Sequence, residues 1–252
     1  MTPPAAPARR RSPVLLGVGR PVLLPVAGTA GTILAWWLAV RFGHIPAYII
    51  PAPQAVLAAL GREAGDLTAN TWTTLIETLA GFGLTVVGGV LLGGVLSLAR
   101  WVEQALSPVL VALNAIPKLS FAPMLLVWLG FGYSPKIVMV ILVCFFPVVL
   151  TTITGLTSTP AELVELSRAL CGSRWKVFTR IRFQAALPQM FIGFKTGMPL
   201  AVIGAVVAEL FAANSGLGYM IMTRTGDLPV VFAAIGILAV MSILLYYAVV
   251  LV

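Results

Sequence analysis

Apolar runs of membrane-span length alternate with short polar breaks along almost the whole chain. A bilayer core about 30 Å thick takes about 20 helical residues per span. The first such run extends from Val22 to Val40. It is too long for the 7–15-residue core of a signal peptide, so the expectation is a retained first helix. The next stretch, RFGHIPAYIIPAPQAVLAALGREAGDLTAN, is broken by Pro46, Pro51 and Pro53 and carries a short amphipathic piece from Gln54 to Arg62. It reads as a surface segment outside the cell. A second span is expected over Thr71–Leu98, where Gly89 and Gly93 form a small-xxx-small pair that lets helices approach closely in lipid. It ends at Ala99-Arg100-Trp101, an interfacial anchor pattern. A third apolar stretch, Ala105–Phe131, is interrupted by Pro108, Pro117 and Pro123 and contains Asn114 and Lys118. Gly130-Phe-Gly-Tyr-Ser-Pro135 reads as a turn. Spans four, five and six are predicted over Lys136–Gly155, Gln189–Ala212 and Val230–Val252, with a polar block at 158–186 and a loop at 213–229. The chain stops inside the sixth span, which suggests a missing cytoplasmic tail.

Composition sharpens this reading. Of 252 residues, 60% are hydrophobic and 10% charged, against about 45–50% and about 25% in a soluble domain. Disorder requires the opposite balance. A water-soluble globule is excluded because so few charges cannot cover such an apolar chain, and six spans leave no room for a second soluble domain. The net charge of +8 reads as membrane orientation rather than nucleic-acid binding, since cytoplasmic loops collect Lys and Arg. Ten of the Lys and Arg residues lie in the N-terminal tail, at Arg100 and in the 158–186 block; Arg41, Arg62, Lys136 and Arg224 fall on the other side. Six spans place these sets on alternate faces, with the N-terminus cytoplasmic. Cys144, Cys171 and the single His44 supply neither a disulfide framework nor a zinc site. His44 reads as a surface residue.

The 158–186 block carries the most information. Thr159 can cap a helix, Pro160 suits its first turn and Glu162 stands three residues after the cap. Cys171-Gly172-Ser173 breaks that helix and starts a second, RWKVFTRIRF, in which Trp175, Phe178 and Ile181 interleave with basic residues; Pro188 then opens span five. Two short helices on the cytoplasmic face serve either as an amphipathic hairpin against anionic headgroups or as a docking element for a cytoplasmic partner.

The stretch ELSRALCGSRWKVFTRIRFQAALP resembles the EAA loop of permease subunits of bacterial ABC importers. Glu165 matches the family's Glu, Ile181 its Ile, and Phe183 stands for its Leu; Cys171 occupies the glycine position and Gln184 the proline position. The segments NAIPKLSFAPMLLVWLGFG, KIVMVILVCFFPVVLTTITGL and ALPQMFIGFKTGMPLAVIGAVVAELFAANSGLGYMI follow in order. Together they resemble the nitrate/sulfonate/taurine-type branch across residues 70–250. The resemblance implies an all-α integral membrane protein of the type I ABC importer permease fold, with about six transmembrane helices and a cytoplasmic coupling helix pair. With the hydropathy pattern, this gives a cytoplasmic tail at 1–21 and a transmembrane domain at 22–252 with its coupling loop at 158–186 as the expected organisation. The resemblance further implies a second copy of the permease, two ATP-binding subunits, an external solute-binding protein and a multi-pass location in the bacterial inner membrane. The residues it assigns to ATPase coupling are Glu162, Glu165, Leu166, Ala169, Cys171, Gly172, Arg174 and Trp175. No G-x-x-x-x-G-K-[ST] occurs, and none of the four lysines follows a glycine, so ATP and magnesium are expected on the partner subunit and no enzyme activity here. Solutes of the branch are small polar or anionic molecules, with relatives carrying pyrimidine vitamin precursors and riboflavin. The stretch IPKLSFAPMLLVWLG looks closer to the vitamin-precursor members.

Charges within spans are costly, at least about 2.5–3.5 kcal/mol at the bilayer centre, and usually face protein or a cavity. Lys195 is expected to snorkel, and Glu77 to be interfacial or paired. Lys118, on a proline-broken helix, either lines the pathway or joins a structural ion pair. Glu209, beside Asn214, gates substrate or holds the outer mouth through a salt bridge. Asn114, Lys118, Glu209 and Asn214 are the candidate pathway and gate residues. The alternative function is a stand-alone secondary carrier or channel. It fits less well, because such carriers show internal repeats and have no use for the docking block.

Overall fold

The computed structural model describes residues 20–97, 105, 108–109, 112–160, 162, 165, 169 and 173–251. The expected tail up to residue 19 lies outside them, as do Arg100, Leu166, Cys171 and Gly172. Every regular element among the described residues is helical.

The chain divides into two units, Met1–Ala55 and Val56–Val252. In the first, helix α1 runs over Arg20–Phe42, the extent expected for the first span. It ends at Gly43 and His44; the latter is exposed, holds a left-handed φ of 49° and sets its Nδ1 3.0 Å from the Phe42 carbonyl.

The second unit begins within α2 (Pro53–Arg62) and continues into α3, Ala64–Leu96. Helix α3 starts seven residues before the expected Thr71. Polar residues read as part of the surface segment instead join the helix: Thr68 and Asn70 each donate to the carbonyl four residues back, as Thr71 and Thr73 do within the expected span. Its 33 residues span about 50 Å at 1.5 Å per residue, well beyond a bilayer core.

The third expected span is not one helix. Pro117 adopts an extended conformation, a 3-10 turn follows over Lys118–Phe121, and α4 covers only Ala122–Leu129 before Gly130 at φ 72°. Proline removes a backbone donor and clashes with the preceding turn, so Pro117 divides the stretch, while Pro123 sits in the first turn of α4, where no donor is needed.

Helix α5 spans Tyr133–Thr157 with Pro147 inside it. Helix α6 (Arg174–Val177) passes through a π-helical turn, Phe178–Arg182, into α7 (Phe183–Ala212). Trp175–Phe211 is thus one helix of 37 residues. The expected break before span five does not occur, and Pro188 and Pro199 lie inside α7. An interior proline costs about 3 kcal/mol; here Ala186 and Met190 are buried against Leu156 of α5, which holds the segment helical. The expected 213–229 loop contains a further helix, α8 (Leu217–Thr223), and α9 spans Leu228–Leu251.

Helices α3, α5, α7 and α9 are long and apolar enough to cross a membrane. Helix α5 packs between α3 and α7. Gly81, Gly89 and Gly93 of α3 lie against Val140, Val148 and Thr152 of α5, and Gly193 and Gly204 of α7 lie against Thr151 and Val140. Small residues drive such contacts where lipid removes the hydrophobic incentive for association. A separate apolar core joins Ala59, Leu67, Leu217, Met220, Val230 and Ala234, tying α2, α8 and α9 to the start of α3.

Candidate functional site

Three groups of side chains stand out in the second unit. The first is a polar cluster at the end formed by the starts of α3 and α5 and the end of α7. Glu77 and Lys136 are 0% and 3% exposed and form an ion pair at 2.6 Å. Lys136 also donates to the Ser215 carbonyl at 3.1 Å, and its ammonium stands 5.7 Å from the Tyr133 ring centroid. Glu77 is therefore buried and paired rather than interfacial. Glu209 is buried too, but its partners are not cations. Its Oε1 accepts from the Thr74 hydroxyl and its Oε2 from the Gly218 amide, each at 2.7 Å. Thr74 in turn accepts from the Leu217 amide at 2.9 Å, and Asn70 Oδ1 from the Gly216 amide at 2.6 Å.

Three consecutive amides at the start of α8 are thus satisfied by Asn70, Thr74 and Glu209. The first N–H groups of a helix have no internal partners, and a carboxylate there also meets the positive end of the helix dipole. Gly216 is obligatory at this junction: its φ is 115°, and a Cβ would collide with the Glu209 carboxylate. Around the cluster, Arg62 pairs with Asp227 at 2.5 Å, and Arg224 with Asp66 at 3.2 Å and Glu63 at 3.8 Å. Asn214 sits exposed on the turn after α7.

The second group surrounds Lys118. Its ammonium donates to Asn114 Oδ1 at 2.5 Å and to the Asn114 carbonyl at 3.2 Å, and stands 5.9 Å from the Phe146 ring centroid. Two clefts share Asn114, Ile116 and Lys118. One, of about 410 Å³, is walled by Phe121, Phe145 and Phe146. The other, of about 370 Å³, reaches Val143, Pro147, Leu200 and Ile203. Pro147 has no N–H, so the Val143 carbonyl beside this cleft lacks its helical donor. Lys118 and Asn114 thus stand at the border of an apolar cleft with aromatic walls and a second cleft with aliphatic walls, an arrangement that can hold a small solute by a few directed contacts and ring stacking. Asn114 and Lys118 are brought together; Glu209 belongs to the polar cluster instead, and Asn214 lies exposed on the turn beside it.

The third group is the 162–175 segment. Glu162, Glu165 and Ala169 are helical and exposed, and their spacing of three and four residues puts them on one face. The Thr159 hydroxyl, expected as a cap, makes no hydrogen bond with a described residue. Arg174 opens α6; Trp175 is 71% exposed and stacks on Phe178 at 6.0 Å. Lys195 is half-buried on α7 and forms no ion pair among the described residues.

The residues that sequence reasoning missed are Asn70, Thr74 and Lys136. Lys136 had been read only as a charge at the start of a span. The signal for its partner was charge balance: a buried acid in one span calls for a cation at the same depth in another.

The clefts, the long apolar helices and the exposed charged segment describe a membrane pathway with a handle. Residues 85–252 match the family model of the binding-protein-dependent transport system inner membrane component. The chain belongs to this family. It is 36% identical over 249 residues to the riboflavin transport system permease protein RibX of Chloroflexus aurantiacus, covering 95% of this chain and 92% of that protein. It is 34% identical to the formylaminopyrimidine transport permease protein ThiX of Halalkalibacterium halodurans, covering 86% and 88%. Identity to the taurine transport system permease protein TauC of Escherichia coli is 29%, covering 90% and 86%. The fold is similar to that of a chain in the inward-facing MetNI methionine ABC transporter, with a TM-score of 0.64 and 19% identity over 75% of this chain and 94% of that one. This permease is therefore a multi-pass inner-membrane component of an ABC importer rather than a stand-alone carrier, and ATP hydrolysis belongs to a separate subunit.

Proposed function

We propose that the permease pairs with a second copy of itself and carries a small heteroaromatic solute of the vitamin or vitamin-precursor class along the clefts around Lys118. The observation that carries this reading is the wall of Phe121, Phe145 and Phe146 beside one lysine and one amide. Aromatic faces suit a flat ring better than a small inorganic anion, and an ammonium suits a polar or anionic edge. Similarity to permeases named for riboflavin and formylaminopyrimidine supports the same class.

In this reading the N-terminus is cytoplasmic, the polar cluster faces outward toward the solute-binding protein, and the 158–186 loop faces two ATP-binding subunits that hold ATP and magnesium. Glu162, Glu165, Leu166, Ala169, Cys171, Gly172, Arg174 and Trp175 form the coupling surface. Closure of the ATPase pair moves this segment. Because Trp175–Phe211 is one unbroken helix, the motion passes directly to α7, which walls the cleft through Leu200 and Ile203. The switch is a rigid-body transition between two packed states.

Co-purification tests the assembly: the tagged permease retains an ATPase subunit and a second permease copy, and Glu165→Arg loses the ATPase alone. Uptake tests the solute. Lys118→Met lowers ATP-driven uptake of a flavin or aminopyrimidine at least about tenfold, the scale of one lost charge-assisted contact. Unchanged uptake in Lys118→Met rules out the lysine as a pathway residue.

A further inference from the structure

The polar cluster holds two buried acids against one buried base. Glu77, Lys136 and Glu209 are all almost completely buried. Of the elements around them, α3 brings Glu77, α5 brings Lys136 and Tyr133, α7 brings Glu209, and α8 brings the half-buried Tyr219. The turn at 213–216 and α4 have no ionisable side chain, and α9 has only Tyr246 and Tyr247 at its far end. Arg62, Arg224, Glu63, Asp66 and Asp227 pair with one another nearer the surface. With Glu77, Lys136 and Glu209 all ionised, the cluster carries one uncompensated negative charge. A buried charge without a partner is costly enough that the group neutralises instead.

The described donors of the cluster are already taken. Lys136 has three N–H groups; it donates to Glu77 Oε1 and to the Ser215 carbonyl, and its ammonium faces the Tyr133 ring. The Thr74 hydroxyl and the Gly218 amide both serve Glu209. Glu77 Oε2 is fully buried and receives a hydrogen from no described donor; the hydroxyl of the adjacent Thr78 does not reach it. The group within hydrogen-bonding range of the Glu77 carboxyl is the Glu209 carboxyl. The backbone accounts for this approach. Lys136 binds both Glu77 and Ser215, and a Cβ on the next residue, Gly216, would collide with the Glu209 carboxylate. Two carboxylates in contact offer each other only lone pairs and like charge, and do not both stay ionised. One proton between them turns repulsion into a hydrogen bond.

We propose that Glu77 and Glu209 form a proton-binding site, sharing one proton at neutral pH so that their cluster with Lys136 is electrically neutral. The proton belongs to the pair rather than to either residue. It closes a chain of hydrogen bonds from Lys136 on α5 through Glu77 on α3 and Glu209 on α7 to the Gly218 amide of α8. Both Glu209 oxygens already receive hydrogens, so a proton suits the remaining gap, whereas a metal cation requires several further oxygens. The site lies apart from the clefts around Lys118 and from the 158–186 segment, and its proton is independent of the solute and of the coupling reading.

The test is infrared difference spectroscopy of the full permease, with whatever subunits it retains, in an ester-free detergent at neutral pH. The C=O stretch of a protonated carboxylic acid lies apart from the carboxylate bands and moves on exchange into heavy water. Native minus Glu77→Gln is expected to contain this band with the area of one acid per chain. Native minus Glu209→Gln is expected to contain it with the same area. A glutamine amide at either position donates the hydrogen that the proton supplied and leaves the other carboxyl ionised, so both variants are expected to melt close to the native protein. No band in either difference spectrum means that both carboxyls are ionised and overturns the proposal. A band in only one of them means that a single acid is neutral without sharing, and also overturns it. So does a band that emerges only when sodium and potassium are replaced by choline, which assigns the gap to a metal cation. Should a variant fail to fold, the native chain decides by its own hydrogen–deuterium difference spectrum, where a carboxylic acid band supports the site and its absence overturns it.

Discussion

The two ends of the helix bundle solve the problem of charge in opposite ways. At the end that carries the polar cluster, three cations have acids: Lys136 with Glu77, Arg62 with Asp227, Arg224 with Asp66. At the basic end Lys176, Arg180 and Arg182 form no ion pair among the described residues. The first arrangement locks helices together within one chain. The second leaves charge available for something outside the chain. A permease driven by another polypeptide requires this division: a wall that stays intact while it tilts, and a surface that other molecules grip.

The largest effect expected from breaking the contrast is at Lys136. Replacing it by Ala leaves Glu77 buried and unpaired, at a cost of about 3–5 kcal/mol. The purified permease is expected to melt far below the native protein or to fail to accumulate. Replacing both partners by apolar residues, Lys136→Met with Glu77→Leu, recovers most of that stability, since a well-packed apolar pair is often as stable as the ion pair. Next comes Glu209→Ala, which strips acceptors from Thr74 and from the Gly218 amide. Each unsatisfied buried group costs about 1–3 kcal/mol, and hydrogen exchange at α8 rises before the rest of the molecule loosens.

Close packing gives a comparable middle effect. Gly204→Val drives a side chain into the α5 backbone at Val140, an overpacking worth about 1–3 kcal/mol. Gly94→Ala, facing open space, is neutral or gains up to about 1 kcal/mol of helix propensity. Thermal unfolding of the two variants side by side separates contact from composition. The smallest effect is at the rim. Asp227→Ala removes the exposed pair with Arg62 and costs less than about 1 kcal/mol. The difference from the native protein disappears in 1 M salt, where the screening length falls to about 3 Å.

The spans at α3, α5, α7 and α9 were legible in the sequence because hydrophobic length is a direct physical requirement of the bilayer, whereas the third expected span breaks at Pro117. Their ends were not. Helix α3 begins early because Leu67 is buried against Ala59, Leu217 and Val230, a long-range contact that the polar composition of its first turns does not reveal. Pro188 marks no boundary because burial of Ala186 and Met190 outweighs the lost backbone bond. Helix α8 was hidden in a loop because it has only seven residues and takes its caps from distant helices. The candidate site divides in the same way. Asn114 and Lys118 stand one helical turn apart, so their association could be read locally. Lys136 finds Glu77 across 59 positions of sequence, and Glu209 finds Thr74 across 135; only the folded chain brings them together. That is why Glu209 was read as a gate or a salt-bridge partner, while its hydrogen bonds to Thr74 and the Gly218 amide were not foreseen.

The central claim is that this chain provides a pathway worked from its basic end by a separate ATPase. The most direct measurement is ATP-driven solute uptake by proteoliposomes containing the permease, its ATPase and its binding protein, with native chain or Glu165→Arg. Glu165 is exposed, so the substitution is expected to leave the melting temperature unchanged while uptake and solute-stimulated ATP hydrolysis fall to background. Full uptake by the Glu165→Arg protein, or uptake by the permease alone without ATP, would contradict the account.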